Sequence, residues 1–271
     1  MIAYTRNEII SATDLARNVS ATLSSLEKQF EDNKLKYNEE VLKYTYPIFE
    51  NKDDVSKPEL IGSSIIIYLD DEFYLVTAAH VMIDTNGFFS VGVDNKILSD
   101  EWNLVYSVSD KNNEDGFDIG FIKLDKKWIE KHKIIAFHVN DESIASNNVE
   151  KYFGLLCGFP ATSNMNSSKK SWRKNPNNYR LEPYCYPNTI LAHKEEESIV
   201  MDYGKNNKNQ QPKKLNGMSG CGMWACHIVT YRLELLGVFI EHHKREKENK
   251  KDALYATPIK EVIEFICKHS D

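Results

Sequence analysis

Three short stretches hold residue types that could do chemistry together. The first is NGMSGCGMWA, residues 216–225, where Gly217, Gly220 and Gly222 surround a single serine, Ser219. Such backbone freedom around one hydroxyl fits a turn that presents a nucleophile while backbone N–H groups converge on the same point. It equally fits a tight loop between strands, because Gly and Ser populate ordinary turns. The second stretch is FYLVTAAH, residues 73–80, an apolar run that ends in Thr-Ala-Ala and His80. Histidine is the side chain best suited to move a proton near neutral pH, and small residues before it would let the imidazole sit at a crowded strand end. A half-buried structural histidine is the alternative. The third is DGFDIGFIKL, residues 115–124, which places Asp118 where a β-strand begins. A carboxylate drawn partly into a core needs a hydrogen-bond partner to offset its desolvation. A histidine N–H would serve, and so would the aspartate's own backbone.

The elements that must position these residues are mostly strands. From about Tyr46 onward the chain breaks into short β-prone runs, among them YPIF, SSIIIYL, EFYLVTAAHV, FFSVGV, YFGLLCGF, ESIVMDYG and LELLGVFIE. Asn, Asp and Gly clusters such as KNNEDG and GKNNKNQQ punctuate them. Many short strands with irregular loops and almost no internal helix define a mainly β fold of barrel or sandwich type. Residues 8–44 contain neither Pro nor Gly and place Leu15, Val19, Leu23, Leu26 and Phe30 at helical spacing, which predicts an N-terminal helix or helix pair that packs on or tethers the rest. The end, TPIKEVIEFICKHS, returns to helical spacing through Val262, Ile263 and Ile266, with Pro258 at its start. The division expected is therefore a helical segment over 1–40 and a β domain over 41–271.

Composition narrows the function classes. The 271 residues are 41% hydrophobic and 27% charged, as in globular domains. Lys and Arg number 34 against 40 Asp and Glu, a net charge of −6, which argues against nucleic acid as the main partner. No apolar run approaches the roughly 18 residues of a membrane span, and the first residues lack the continuous apolar core of a secretory signal. Five cysteines, an odd number, do not suggest a disulfide framework. The expectation is a cytoplasmic protein with reduced thiols. Cys157, Cys221, Cys226 and His227 invite a zinc reading, but no Cys-x-x-Cys pair is present and buried strand cysteines account for them better. No metal or other cofactor is expected.

Taken together, the three stretches run in the chain order His80, Asp118, Ser219, one of the orders found for a His-Asp-Ser triad. In that order LVTAAHV resembles the histidine motif of trypsin-like, chymotrypsin-fold serine proteases, DIGFIKL their aspartate motif and GMSGCG their nucleophile turn. The resemblance covers roughly residues 40–268 and is closest to bacterial members without disulfides. It implies two antiparallel six-stranded β-barrels with the site in the cleft between them. It also implies Ser219 as nucleophile, His80 as general base and Asp118 as the group that orients the imidazole, with the N–H groups of Gly217 and Ser219 as the oxyanion hole. The activity implied is endopeptidase, acting on a protein or peptide substrate. By position, Ile240, Glu241 and His242 would line the pocket for the residue before the scissile bond. Two departures stand out. Cys221-Gly222 replaces the commoner Gly-Pro after the serine turn, and nothing like an Ile-Val-Gly-Gly start precedes IGSSIII.

Two rival readings remain. One is a catalytically silent binding module on the same fold. The other is a regulatory protein with a protease effector domain, since IISATDLARNVSATLSSL, residues 9–26, resembles the N-terminal motif of Phd/YefM-type antitoxins and would contact DNA or a regulatory partner; an ordinary amphipathic helix explains it too.

Overall fold

A computed structural model describes residues 24–25, 28–50, 59–85, 89–94, 96–98, 117–140, 152–161, 164, 181–188, 193–195, 198–203, 215–227, 230, 232–243 and 252–270. Helix α1 runs through 28–42. The antitoxin-like motif at 9–26 lies outside the described residues apart from 24–25.

The first sheet contains β1 (Thr45–Glu50), β2 (Glu59–Leu69), β3 (Glu72–Thr77), β4 (Phe89–Val93), β5 (Lys96–Leu98), β6 (Gly120–Leu124) and β7 (Phe137–His138). Its order is β5-β4-β1-β2-β3-β6, with β7 pairing parallel to β2 and every other pair antiparallel. The second sheet contains β8 (Tyr152–Gly158), β9 (Tyr184–Asn188), β10 (His193–Glu195), β11 (Ser198–Tyr203), β12 (Gly222–His227), β13 (Leu233–His243) and β14 (Asp252–Pro258). It is antiparallel throughout, in the order β10-β11-β14-β13-β12-β8-β9. The fold is thus mainly β with two antiparallel sheets, as expected. Among the described residues each sheet has seven strands, and no pairing joins its two edges. The described structure also contains the helices α2 (Ala79–Asp84), α3 (Lys126–His132) and α4 (Ile259–His269).

The apolar strand runs arise because both faces of each sheet are buried. Alternate residues of β2 divide: Ile66 enters a core inside the first sheet, while Ile65, Ile67 and Leu69 enter a core shared by the two sheets. In the second sheet Met223, Leu236 and Phe239 face inward, whereas Trp224, Leu235 and Val238 face the shared core. The β2–β3 hairpin is closed by Asp70 and Asp71, both at positive φ (48° and 65°), the two-residue turn whose twist matches antiparallel strands. Helix α3 was not legible as a helix because it is short. It is fixed by local chemistry: Asp125 accepts from the Lys127 N–H at 2.6 Å at its start, and Lys133 adopts the left-handed conformation at its end.

Both terminal helices supply the shared core. Phe30 and Val41 of α1 are fully buried there, beside Tyr37 and the α4 residues Ile259, Val262, Phe265 and Ile266. The Phe30 ring stacks on Phe153 of β8 at a centroid distance of 4.6 Å. Phe30→Ala should therefore cost about 3–5 kcal/mol. Urea unfolding followed by tryptophan fluorescence should show one transition at a lower midpoint, and an unshifted midpoint would mean that α1 is not part of the core.

Candidate active site

His80 lies on the first turn of α2, directly after β3, and not at the strand end itself. Asp118 lies two residues before β6, the neighbour of β3. Strand pairing thus brings two chain-distant residues together. The imidazole Nδ1 is 2.7 Å from Asp118 Oδ2, and the backbone N–H of His80 donates to Asp118 Oδ1 at 3.0 Å. An ionised carboxylate can only accept, so Nδ1 carries the proton and Nε2 of the neutral ring keeps its lone pair. The exposures differ in the sense this chemistry needs: the His80 side chain is 43% exposed and that of Asp118 12%.

The Ser219 turn is defined by where its peptide groups go. The Asn216 carbonyl accepts from Ala161 N at 2.7 Å, and the Met218 carbonyl accepts from Cys221 N at 3.0 Å. The Gly217 carbonyl accepts from the Ser63 hydroxyl at 2.7 Å, and the Ser219 carbonyl from Ser63 N at 2.9 Å. Met218 N donates to Leu215 O and Gly220 N to Phe239 O, at 2.9 and 2.8 Å. Among the described residues the N–H groups of Gly217 and Ser219 have no acceptor. Because N–H and C=O of a trans peptide point in opposite directions, the bonds on the Asn216 and Met218 carbonyls also fix where these two donors point. Gly217 and Gly220 take φ of +89° and +91°, conformations that side-chain-bearing residues rarely adopt. The carbonyls of Asn216, Gly217, Met218 and Ser219 are all bonded, so the turn is held by its acceptors while these two donors are left without one among the described residues.

The Ser219 hydroxyl donates to the Ile240 carbonyl at 3.0 Å. That carbonyl is available because of a β-bulge: Phe239 faces Ala256 and Glu241 faces Tyr255, leaving Ile240 as the extra residue on β13. A hydroxyl has one proton, so in this conformation it is given to Ile240 and the hydroxyl must turn to direct it elsewhere.

The flanks of His80 meet the Ser219 turn. A Cβ built on Gly220 would collide with Thr77 Oγ1 and the Ser63 carbonyl, and one on Gly62 would lie 2.6 Å from Val81 Cγ1 and 3.4 Å from the Ser219 carbonyl oxygen. Thr77 and Val81 bracket His80 in the chain. The histidine, the aspartate and the serine turn therefore belong to one seam between the two sheets.

The pocket candidates separate. Ile240 is buried and acts here through its carbonyl. Glu241 is partly exposed, its Oε1 2.7 Å from His243 Nε2. His242 is recessed, its Nε2 3.2 Å from Asp252 Oδ2 and its ring 5.1 Å from that of Tyr203. The residues weighed as zinc ligands do not converge: Cys157 and Cys226 face the shared core, Cys221 the core of the second sheet. Burial pushes the Cys221 thiol well above its usual range, with Cys185 adding to the effect, which disfavours its thiolate as a nucleophile.

Ser63, Thr77, Phe159 and Ala161 were not picked out from sequence. The signal for Ser63 was present: Gly62-Ser63-Ser64 interrupts an apolar strand, and a polar side chain buried there must have partners.

No protein-family model matches the chain, and no curated protein matches it in sequence. Among solved structures it is similar to the serine protease domain of the Sesbania mosaic virus polyprotein, at 11% identity over 83% of this chain and 92% of that one, with a TM-score of 0.49. It is also similar to the active form of the Rv3671c protease from M. tuberculosis, at 13% identity over 84% of this chain and 82% of that one, with a TM-score of 0.45.

Gly220→Ala should unfold this seam. The added methyl meets backbone as well as a side chain, so thermal denaturation should show a large loss of stability. A melting temperature equal to wild type would contradict the close approach.

Proposed function

We propose that this chain is a serine endopeptidase of the trypsin-like, disulfide-free kind found in bacteria, working in the cytoplasm on protein or peptide substrates. The observation that carries the reading is that the N–H groups of Gly217 and Ser219, in the turn that bears the serine hydroxyl, have no acceptor among the described residues. Two donors held in place through the bonds on the Asn216 and Met218 carbonyls would suit an oxygen that gains negative charge during acyl transfer, where each is worth about 3 kcal/mol.

The reaction would begin with Ser219 Oγ leaving the Ile240 carbonyl and turning its proton toward His80 Nε2. As Oγ attacks the substrate carbonyl carbon, His80 takes that proton, and Asp118 holds the ring orientation and stabilises the imidazolium. The carbonyl oxygen, now an oxyanion, is bound by the two N–H groups. Collapse of the tetrahedral intermediate breaks the C–N bond, and His80 returns the proton to the leaving amine. Water then enters, loses a proton to His80 and hydrolyses the acyl-enzyme, regenerating Ser219. Support for a peptidase over a silent module lies in the retention of all these parts: the imidazole, its carboxylate, the hydroxyl and both donors. All five cysteines are free thiols, in keeping with a reducing compartment.

The direct test is a fluorophosphonate probe, which should label wild type at Ser219 and fail on Ser219→Ala and His80→Ala; equal labelling of all three contradicts the assignment. The neutral imidazole is the base, so acid removes activity: the labelling rate should fall about tenfold per pH unit below the imidazole range. A rate that stays flat to pH 4.5 would show that His80 is not the base. Specificity should follow the recessed side of β13. His242→Ala should alter the residue preferred before the scissile bond in a peptide-library profile, whereas Glu241→Gln, already engaged by His243, should not. No change with either places the pocket elsewhere.

A further inference from the structure

We infer that Ser63 is a positioning residue for the proposed reaction: a side chain of the first sheet that sets the oxyanion donors of the second. This rests on the peptidase reading of Ser219, but its structural content stands apart from it.

Ser63 lies in β2, fully buried, and each of its polar groups is spent at the seam. Its hydroxyl donates to the Gly217 carbonyl at 2.7 Å and accepts from Phe159 N at 3.0 Å. Its N–H donates to the Ser219 carbonyl at 2.9 Å, and its carbonyl accepts from Thr77 Oγ1 at 2.8 Å. One residue thus binds both carbonyls of the turn that face the first sheet, together with the chain leading to Ala161 and the threonine just before His80. The bond at Gly217 fixes the peptide plane between the two oxyanion donors, which belong to the peptides on either side of it. Phe159 is held at the same time, and its carbonyl lies where a Cβ on Gly217 would be, 2.7 Å away. The neighbouring Ala161 N–H fixes the Asn216 carbonyl at 2.7 Å and so directs the Gly217 N–H.

Removing only the hydroxyl leaves the backbone bonds of Ser63 in place. It frees the Gly217 carbonyl and the Phe159 N–H together, so the donors lose their alignment while the nucleophile and base keep their identity. Ser64 is the matched control: it is adjacent in β2, equally buried, and its hydroxyl donates to the Tyr46 carbonyl at 3.1 Å, away from the turn.

The experiment compares wild type, Ser63→Ala and Ser64→Ala in the full chain. Two readouts are taken: the rate and affinity constants for inactivation by a fluorophosphonate, and amide hydrogen exchange over 215–221 and 158–161. Ser63→Ala should lower the limiting inactivation rate about tenfold or more with little change in probe affinity, and should speed exchange in both segments. Ser64→Ala should do neither, whatever it does to the melting temperature. If Ser63→Ala does not fold, Thr77→Val, nearly isosteric and lacking only the bond to the Ser63 carbonyl, should move both readouts in the same direction. Equal effects of the two serine variants on inactivation, with unchanged exchange in the turn, would overturn the inference. If the wild type does not react with the probe at all, the peptidase reading fails, and the exchange data alone decide whether Ser63 holds the turn.

Discussion

The close approach of Gly220 to the first sheet is the constraint on which the site depends. Its Cα faces Thr77 Oγ1 and the Ser63 carbonyl, and its N–H is bonded to Phe239 of β13 at 2.8 Å. A side chain at this point would push the serine turn away from the sheet that bears His80 and Asp118. The shared core below the seam holds the two sheets in register by burying large side chains of both, Phe121 and Tyr74 from one, Trp224 and Leu235 from the other. Packing and hydrogen bonding are coupled here: the apolar faces fix how near the sheets lie, and the serine turn uses that nearness to satisfy its carbonyls.

Polarity in the site follows a division of labour by burial. Asp118 is recessed, accepts two N–H groups of His80 and so has its charge met by donors at fixed distances. His80 is half open, as the proposed proton carrier would have to be for substrate to reach its other nitrogen. Ser219 rests on a carbonyl freed by the β13 bulge, so the resting hydroxyl has an acceptor although its acceptor in the reaction would be the imidazole. Cys221, close in sequence and chemically the stronger nucleophile in principle, is turned into the second core, where burial keeps it protonated.

Much of this was legible because the signals were local. The runs SSIIIYL and YFGLLCGF read as strands since burial on both faces makes them continuously apolar, while Gly217, Ser219 and Gly220 fitted an ordinary tight loop as well until read in chain order with His80 and Asp118. What stayed hidden depends on register or on partners distant in the chain. The β13 bulge exists only relative to β14, so nothing near Ile240 reveals it. The edge strands β9 and β10 and the short helix α3 have too few residues to establish a period. His80 was expected at a strand end, but the first turn of α2 begins before it. Ser63 had a visible anomaly, a polar pair inside an apolar strand, but its partners at Gly217 and Phe159 could be found only once the sheets were together.

The central claim is that water cleaves peptide bonds at Ser219 with His80 as the base. Its most direct test is digestion of a proteome-derived peptide library by wild type and Ser219→Ala, with new termini identified by mass spectrometry in water enriched in heavy oxygen. The account predicts new carboxyl termini bearing the heavy isotope, clustered on one residue class, in the wild-type digest alone. No new termini, or the same termini with Ser219→Ala, would contradict it.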